Sequence, residues 1–175
     1  MMLQDVKKSK VLIVDDTPEN IQVLMGTLKD RYAIVAAING EKALKLALAK
    51  PQPDLILLDI MMPDITGFEV CQRLRAAPDT RQTPIVFLTA LHEMEDHMRA
   101  VDVGGDDVLT KPINKLELLL RVKSLLRVRQ LTGEVAEQSR LIRRLLKAYV
   151  SAEAAEQYLA DPASVRALER LESVH

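Results

Sequence analysis

The feature that most constrains this chain is an alternation repeated five times. A short apolar run of strand type is followed each time by a stretch with helical periodicity. "KVLIVDD" (10–16) reads as a buried strand, and 17–30 as a helix with Thr17 at the N-cap and Pro18 at the first helical position. Further strands are read at 32–37, 53–59, 83–90 and 106–112, with helices at 39–50, 67–76 and 92–104 and a long helix from near Asn114. Strands apolar on both faces, separated by helices, belong to a parallel sheet covered on both sides. Right-handed crossovers then make a doubly wound α/β sheet the expected fold, with five strands in the flavodoxin-like order 2-1-3-4-5.

Composition removes several classes. No apolar run approaches the ~20 residues needed to cross a bilayer, so no membrane is expected. The N-terminus, "MMLQDVKKSK", lacks a signal core. A single cysteine, Cys71, allows no internal disulfide. Together these point to a cytoplasmic protein. Aromatic residues are 3% of the chain, which leaves little for base stacking or a flavin pocket.

The polar exceptions sit at the strand ends. Asp15 and Asp16 close the first strand, Asp59 the third and Thr89 the fourth, and Lys111 follows the fifth. In an open parallel sheet these C-terminal ends share one edge, where such folds bind ligands. Each residue alone reads as a cap or turn; the set reads as a site. Three converging carboxylates repel one another unless a cation joins them. An all-oxygen set favours Mg²⁺ or Mn²⁺ over zinc. With Lys111 as a second cation and Thr89 as a hydroxyl donor, the set suits phosphoryl transfer onto an aspartate, giving an acyl phosphate.

The segments "VLIVDD", "PDLILLDIMMPDITGFE", "PIVFLTA" and "GGDDVLTKP", in this order and on these strands, resemble the receiver domain of two-component response regulators across roughly residues 9–128. The resemblance implies that Asp59 is the phosphoacceptor. Asp16 would hold Mg²⁺ directly, Asp15 would assist through water, and the backbone carbonyl of Met61 would be a further ligand. Thr89 would be the switch hydroxyl and Lys111 the partner of the phosphoryl group, with Lys111–Pro112 cis. A sensor histidine kinase or phosphotransfer protein would be the donor, and the α4-β5-α5 face the part that switches. There are departures. Position 108 is Val where the family often has an aromatic ring, and position 66 is Thr where Asp is frequent. Met61 and Leu91, which lie two residues beyond Asp59 and Thr89, are apolar and cannot orient an attacking water. Self-hydrolysis of the acyl phosphate is therefore expected to be slow, and no other enzymatic activity is expected of this chain.

Other residues carry blander expectations. Gly104 and Gly105 read as a turn, His92 and His97 as solvated helix residues, Cys71 as core, and Met61 and Met62 as packing residues. A phosphatase of the haloacid dehalogenase type would want Asp-x-Asp after the first strand, and this chain has adjacent Asp15 and Asp16. A flavin domain would want a phosphate-cradling loop there, and it is absent.

Beyond residue 114 no helix stop appears until near 150. Positions 125, 128, 132, 135, 139, 142, 146 and 149 follow 3-4 spacing and read Leu, Val, Thr, Val, Ser, Ile, Leu, Tyr. That is a coiled-coil seam softened by Thr132 and Ser139, and it predicts a homodimer. Residues 121–147 carry 8 basic and 2 acidic groups, read as the solvated flank of that coil and not as a nucleic-acid surface. The expected organisation is a flexible N-terminus (1–9), a receiver (10–128), a linker helix (129–150) and a short helical tail (151–175). "LLKAYVSAEAAEQYLADP" (145–162) resembles the segment preceding class III nucleotide cyclase domains. The expectation is a piece of a longer protein with such an output, or a stand-alone regulator. A diguanylate cyclase, a phosphatase or a partner protein is the alternative output.

Overall fold

A computed structural model describes residues 7–90, 94–149 and 160 of the chain. The expectations for the first six residues, for Leu91 and His92, and for nearly all of the tail 151–175 lie outside the described residues. The chain divides into two compact units, residues 1–129 and 130–175.

In chain order the elements are β1 (Lys10–Val14), α1 (Pro18–Leu28), β2 (Ala33–Ala37), α2 (Gly40–Leu48), β3 (Leu55–Asp59), α3 (Gly67–Ala76), β4 (Ile85–Thr89), α4 (Met94–Asp102), β5 (Asp107–Thr110) and α5 (Lys115–Tyr149). The sheet is parallel throughout, in the order β2-β1-β3-β4-β5. This is the flavodoxin-like fold, extended by a long C-terminal helix.

Two cores result from the period-2 alternation of the strands. Leu12, Val14, Ile56, Leu58, Ile85 and Phe87 face one side, with Ala43 and Ala47 of α2, Phe68, Cys71 and Leu74 of α3, and Ala100 of α4. Val11, Ile13, Leu55, Leu57, Val86 and Leu88 face the other, with Ile21, Leu24 and Leu28 of α1 and Leu118, Val122 and Leu126 of α5. β3 and β4 are buried along their whole length. β2 departs from the expected double cover: only Ala37 is fully buried, because β2 is an edge strand.

The helix starts show local chemistry. Thr17 is the N-cap of α1 as expected, but its side chain makes no cap bond. Asn39 caps α2 by accepting from the Lys42 N–H at 2.8 Å. Asp64, reaching over from the β3–α3 loop, accepts from the Gly40 and Glu41 N–H groups at 3.1 and 3.0 Å. Thr66 and Glu69 form a reciprocal capping box at α3, so threonine does there what a capping aspartate would.

At the opposite edge of the sheet, Arg75 fastens several segments together. Its guanidinium donates to the carbonyls of Gly104 (2.9 Å) and Thr83 (2.7 Å) and bridges Asp106 at 2.9 Å. Asp106 in turn accepts the N–H of Ile85 at 2.8 Å. Gly104 has φ of 94°, a conformation that L side chains rarely adopt.

The 35 residues of α5 span roughly 52 Å at the α-helical rise. Its first turns belong to the sheet domain. Leu125, read as the first seam position, packs against the domain's own core. Arg129 donates to the Gln82 carbonyl at 3.2 Å, and Arg121 bridges Asp107 at 3.1 Å. Neither is merely a solvated flank cation. Cys71 is fully buried as expected, its thiol donating to the Val103 carbonyl at 3.3 Å. His97 is half-buried. Among the described residues no helix is long and apolar enough to cross a membrane.

Candidate functional site

The strand ends deliver the expected side chains to one edge. Asp15 follows β1, Asp59 ends β3, Thr89 ends β4, and Lys111 follows β5. The ladder pairs Asp59 with Leu88 and Thr89 with Thr110, and the Lys111 N–H donates to the Thr89 carbonyl at 2.7 Å. Asp15, Asp59 and Thr89 are buried, while Asp16 is exposed.

Asp15, Asp16 and Asp59 each offer an oxygen within 4.8 Å of the others. Two oxygens on opposite sides of one octahedral Mg²⁺ stand about 4.2 Å apart, twice the Mg–O length. The cluster is therefore the right size for a small hard cation, with a slight contraction or one water between ligand and metal. The donor set is all oxygen, which fits Mg²⁺ or Mn²⁺.

The lysine is already engaged. Lys111 Nζ lies 2.9 Å from Asp15 Oδ2 and 3.4 Å from Asp59 Oδ1. Burial pushes the Asp59 carboxyl above its ordinary range; Lys111 pulls it back, and the Asp15 charge pushes it up further. For Lys111, burial acts to lower the pKa. The hydrogen bond to Asp15 and the charges of Asp59 and Asp15 outweigh it, so the ammonium is held above its usual value.

Two features were not read from the sequence. Asn20, on the first turn of α1, donates to both Asp15 oxygens at 3.2 and 3.1 Å. The Thr17 N–H donates to Asp15 Oδ1 at 2.9 Å. Asp15 is thus oriented from three sides; an amide five residues past Asp15 was the available signal. Met61 also differs from expectation. The residue is 64% exposed beside the site and does not pack in the core, while its backbone N–H hydrogen-bonds Asp59. Met62 does pack. Val108 is half-buried against the core that holds Phe87. Lys111–Pro112 is cis, as is Lys50–Pro51.

Glycine completes the geometry. Gly67 opens α3 directly against the end of β3, its N–H donating to the Ile60 carbonyl at 2.8 Å. A Cβ there would fall on the Asp59 carbonyl oxygen and lie 2.9 Å from Ile60 Cα.

Residues 11–123 match the family model described as the response regulator receiver domain. Among curated proteins, the chain is 38% identical over 138 residues to the response regulator PleD of Caulobacter vibrioides, covering 78% of this chain and 30% of PleD. It is 40% identical over 134 residues to the DNA-binding dual master transcriptional regulator RpaA of Synechocystis, covering 76% of this chain and 55% of RpaA. The chain thus spans only about a third to a half of these relatives. Among solved structures, the chemotaxis response regulator CheY4 of Vibrio cholerae superposes with a TM-score of 0.63 at 34% identity, over 67% of this chain and 98% of that one. A carboxylate cluster at the strand tips, closed by the lysine that follows the fifth strand, and a family match over most of the chain lead to one conclusion: this chain belongs to the response regulator receiver family of two-component signalling.

Proposed function

We propose that Asp59 accepts a phosphoryl group from a phosphohistidine of a sensor histidine kinase or phosphotransfer protein. An Asp59 carboxylate oxygen attacks phosphorus, the P–N bond breaks, and the imidazole leaves as the neutral base after taking a proton. Asp15, Asp16, Asp59 and the Met61 carbonyl would hold Mg²⁺ (or Mn²⁺), which when bound offsets phosphoryl charge. Asp16 would be a direct ligand, and Asp15, already fixed by Asn20 and Thr17, would act through water. Lys111 would exchange part of its contact with the two aspartates for the phosphoryl oxygens, and Thr89 would supply a hydroxyl to them. The observation that carries this reading is Lys111 Nζ lying within 3.4 Å of Asp59 inside a three-carboxylate cluster. Incubation with acetyl phosphate and Mg²⁺, followed by intact-mass measurement, tests it. One phosphoryl group is expected on the wild type and none on Asp59→Asn. A folded wild type that never gains mass, or labelling that survives Asp59→Asn, refutes it.

Phosphorylation would then alter the α4-β5-α5 face. Val108 supplies no ring for the aromatic half of the usual coupling, so movement of Thr89 would pass through apolar packing. The proposed organisation is a receiver at 10–128, a linker helix at 129–150 that pairs with a second copy, and a tail at 151–175 leading to an output. The "YVSAEAAEQYLADP" segment supports a nucleotide cyclase as that output. A diguanylate cyclase, or action by protein–protein contact alone, is the second reading. RpaA, named as DNA-binding, illustrates that relatives of this receiver carry other outputs. The chain itself is read as a cytoplasmic phosphoacceptor, with self-dephosphorylation as its only chemistry.

A further inference from the structure

We infer that the outer part of α5 pairs with a second copy of this chain in parallel and in register, along a seam of Leu131, Val135, Gln138, Ile142 and Leu145. This rests on the dimer reading above and assigns its contact face and direction. The seam differs from the stripe read first in the sequence, which took Thr132 and Ser139 inward.

Exposed apolar side chains supply the surface, and spacing and residue type choose the seam among them. Leu131, Val135 and Leu145 are 54%, 57% and 50% exposed on the helix surface. These three, with Gln138 and Ile142, fall at 4-3-4-3 spacing, one continuous line along a supercoiled helix. The Thr132–Ser139 stripe would bury two hydroxyls and leave Leu131 and Leu145 at its margin. It would also set Arg143 beside the contact.

Residue type gives the direction. In the new register Val135 and Ile142 occupy the a positions, and Leu131 and Leu145 the d positions. β-branched residues at a with Leu at d favour two parallel strands. Gln138 is the single polar d residue. In a parallel, in-register pair each layer meets its own copy, so one Gln138 amide can donate to the carbonyl oxygen of the other. In an antiparallel pair a layers face d layers. Gln138 would then face a β-branched apolar residue, and its amide would be buried without a partner.

Charge is consistent with this. Glu137, Arg140, Arg143 and Arg144 occupy the outer b, c and f positions. At the flanks of a parallel pair Glu134 faces Ser139, so no like charges oppose one another. The seam is short, about four turns, and gives weak pairing by itself. Its population therefore responds to whatever contact the receiver domains add.

Single cysteines placed in the full chain test the proposal, since native Cys71 is fully buried. Under mild oxidant, Leu131→Cys, Gln138→Cys and Leu145→Cys are each expected to self-cross-link roughly tenfold faster than Ser139→Cys or Arg140→Cys, because a disulfide needs close Cα approach. Fastest cross-linking of Ser139→Cys, and of an added Thr132→Cys, overturns the seam while the dimer stands. Preferential joining of Leu131→Cys to Leu145→Cys in mixed samples overturns the parallel direction. A monomeric mass by light scattering at all concentrations, with and without beryllofluoride and Mg²⁺, overturns the dimer reading and this proposal together.

Discussion

Replacing Gly67 with Ala should distort the phosphoacceptor strand from behind, and its effect can be set against the same substitution elsewhere. At Gly67 the new methyl would fall on the Asp59 carbonyl oxygen and lie 2.9 Å from Ile60 Cα, so backbone must shift. Forcing a methyl into packed backbone costs about 1–3 kcal/mol. Melting temperatures of domains near this size move by roughly 3–5 °C per kcal/mol, so a fall of roughly 3–15 °C is expected. At Gly26, inside α1, nothing lies within 4 Å of the added Cβ. There Ala improves helix propensity by about 0.5–1 kcal/mol, and the melting temperature should rise by about 2–5 °C. Thermal unfolding followed by circular dichroism gives both numbers, and acetyl phosphate labelling gives the functional arm. Gly67→Ala should label several-fold more slowly than wild type, and Gly26→Ala at the wild-type rate. If Gly67→Ala is as stable and labels as fast as Gly26→Ala, the close approach of α3 to Asp59 is not what positions the acceptor.

Other expectations follow from named contacts. For Asp64, slight burial acts to raise the carboxyl pKa, but the N–H groups of Glu41, Ile65 and Gly40 outweigh it and hold it below the usual value. A depressed folded pKa gives stability that is present above the unfolded value and lost as pH falls through the folded one. Asp64→Asn should therefore be less stable than wild type in urea at pH 7, with the gap closing below about pH 4; a gap that is constant with pH would refute the assignment. Burial pushes the Cys71 thiol up to about 11. Maleimide at pH 8 should leave the native protein unlabelled and label it at once in denaturant, and rapid native labelling would contradict the burial. Met61 is exposed next to Asp59, so Met61→Asn should shorten the acyl phosphate lifetime by placing a water-orienting amide there. An unchanged lifetime would remove the account of slow self-hydrolysis.

The strands and the acid, hydroxyl and lysine set were legible because β1, β3 and β4 are almost wholly apolar and each gives way to a polar residue at its C-terminal end. Pattern and chemistry pointed to the same edge. What was not legible depended on which of several equivalent turns or loops meets a neighbour. Nothing in 3-4 spacing tells that Leu125 packs on its own domain while Leu131 stays exposed. Asn20 reads as an ordinary helix residue until α1 is seen to begin over β1. Met61 looks like core because it continues an apolar run, yet the strand has already ended at Asp59 and the chain turns outward. The reach of Lys111 to Asp15 was missed because its partner in the resemblance is the phosphoryl group.

The Arg75 guanidinium bears on how a signal could travel. It stitches the floor of β4 and β5 to the end of α3, far from the acceptor. A rearrangement that starts at the roof of the sheet is thus pinned below. On the proposed switch, we expect strand five to pivot about that rivet, so that a small displacement at Thr89 would reach the outer surface as a change of angle.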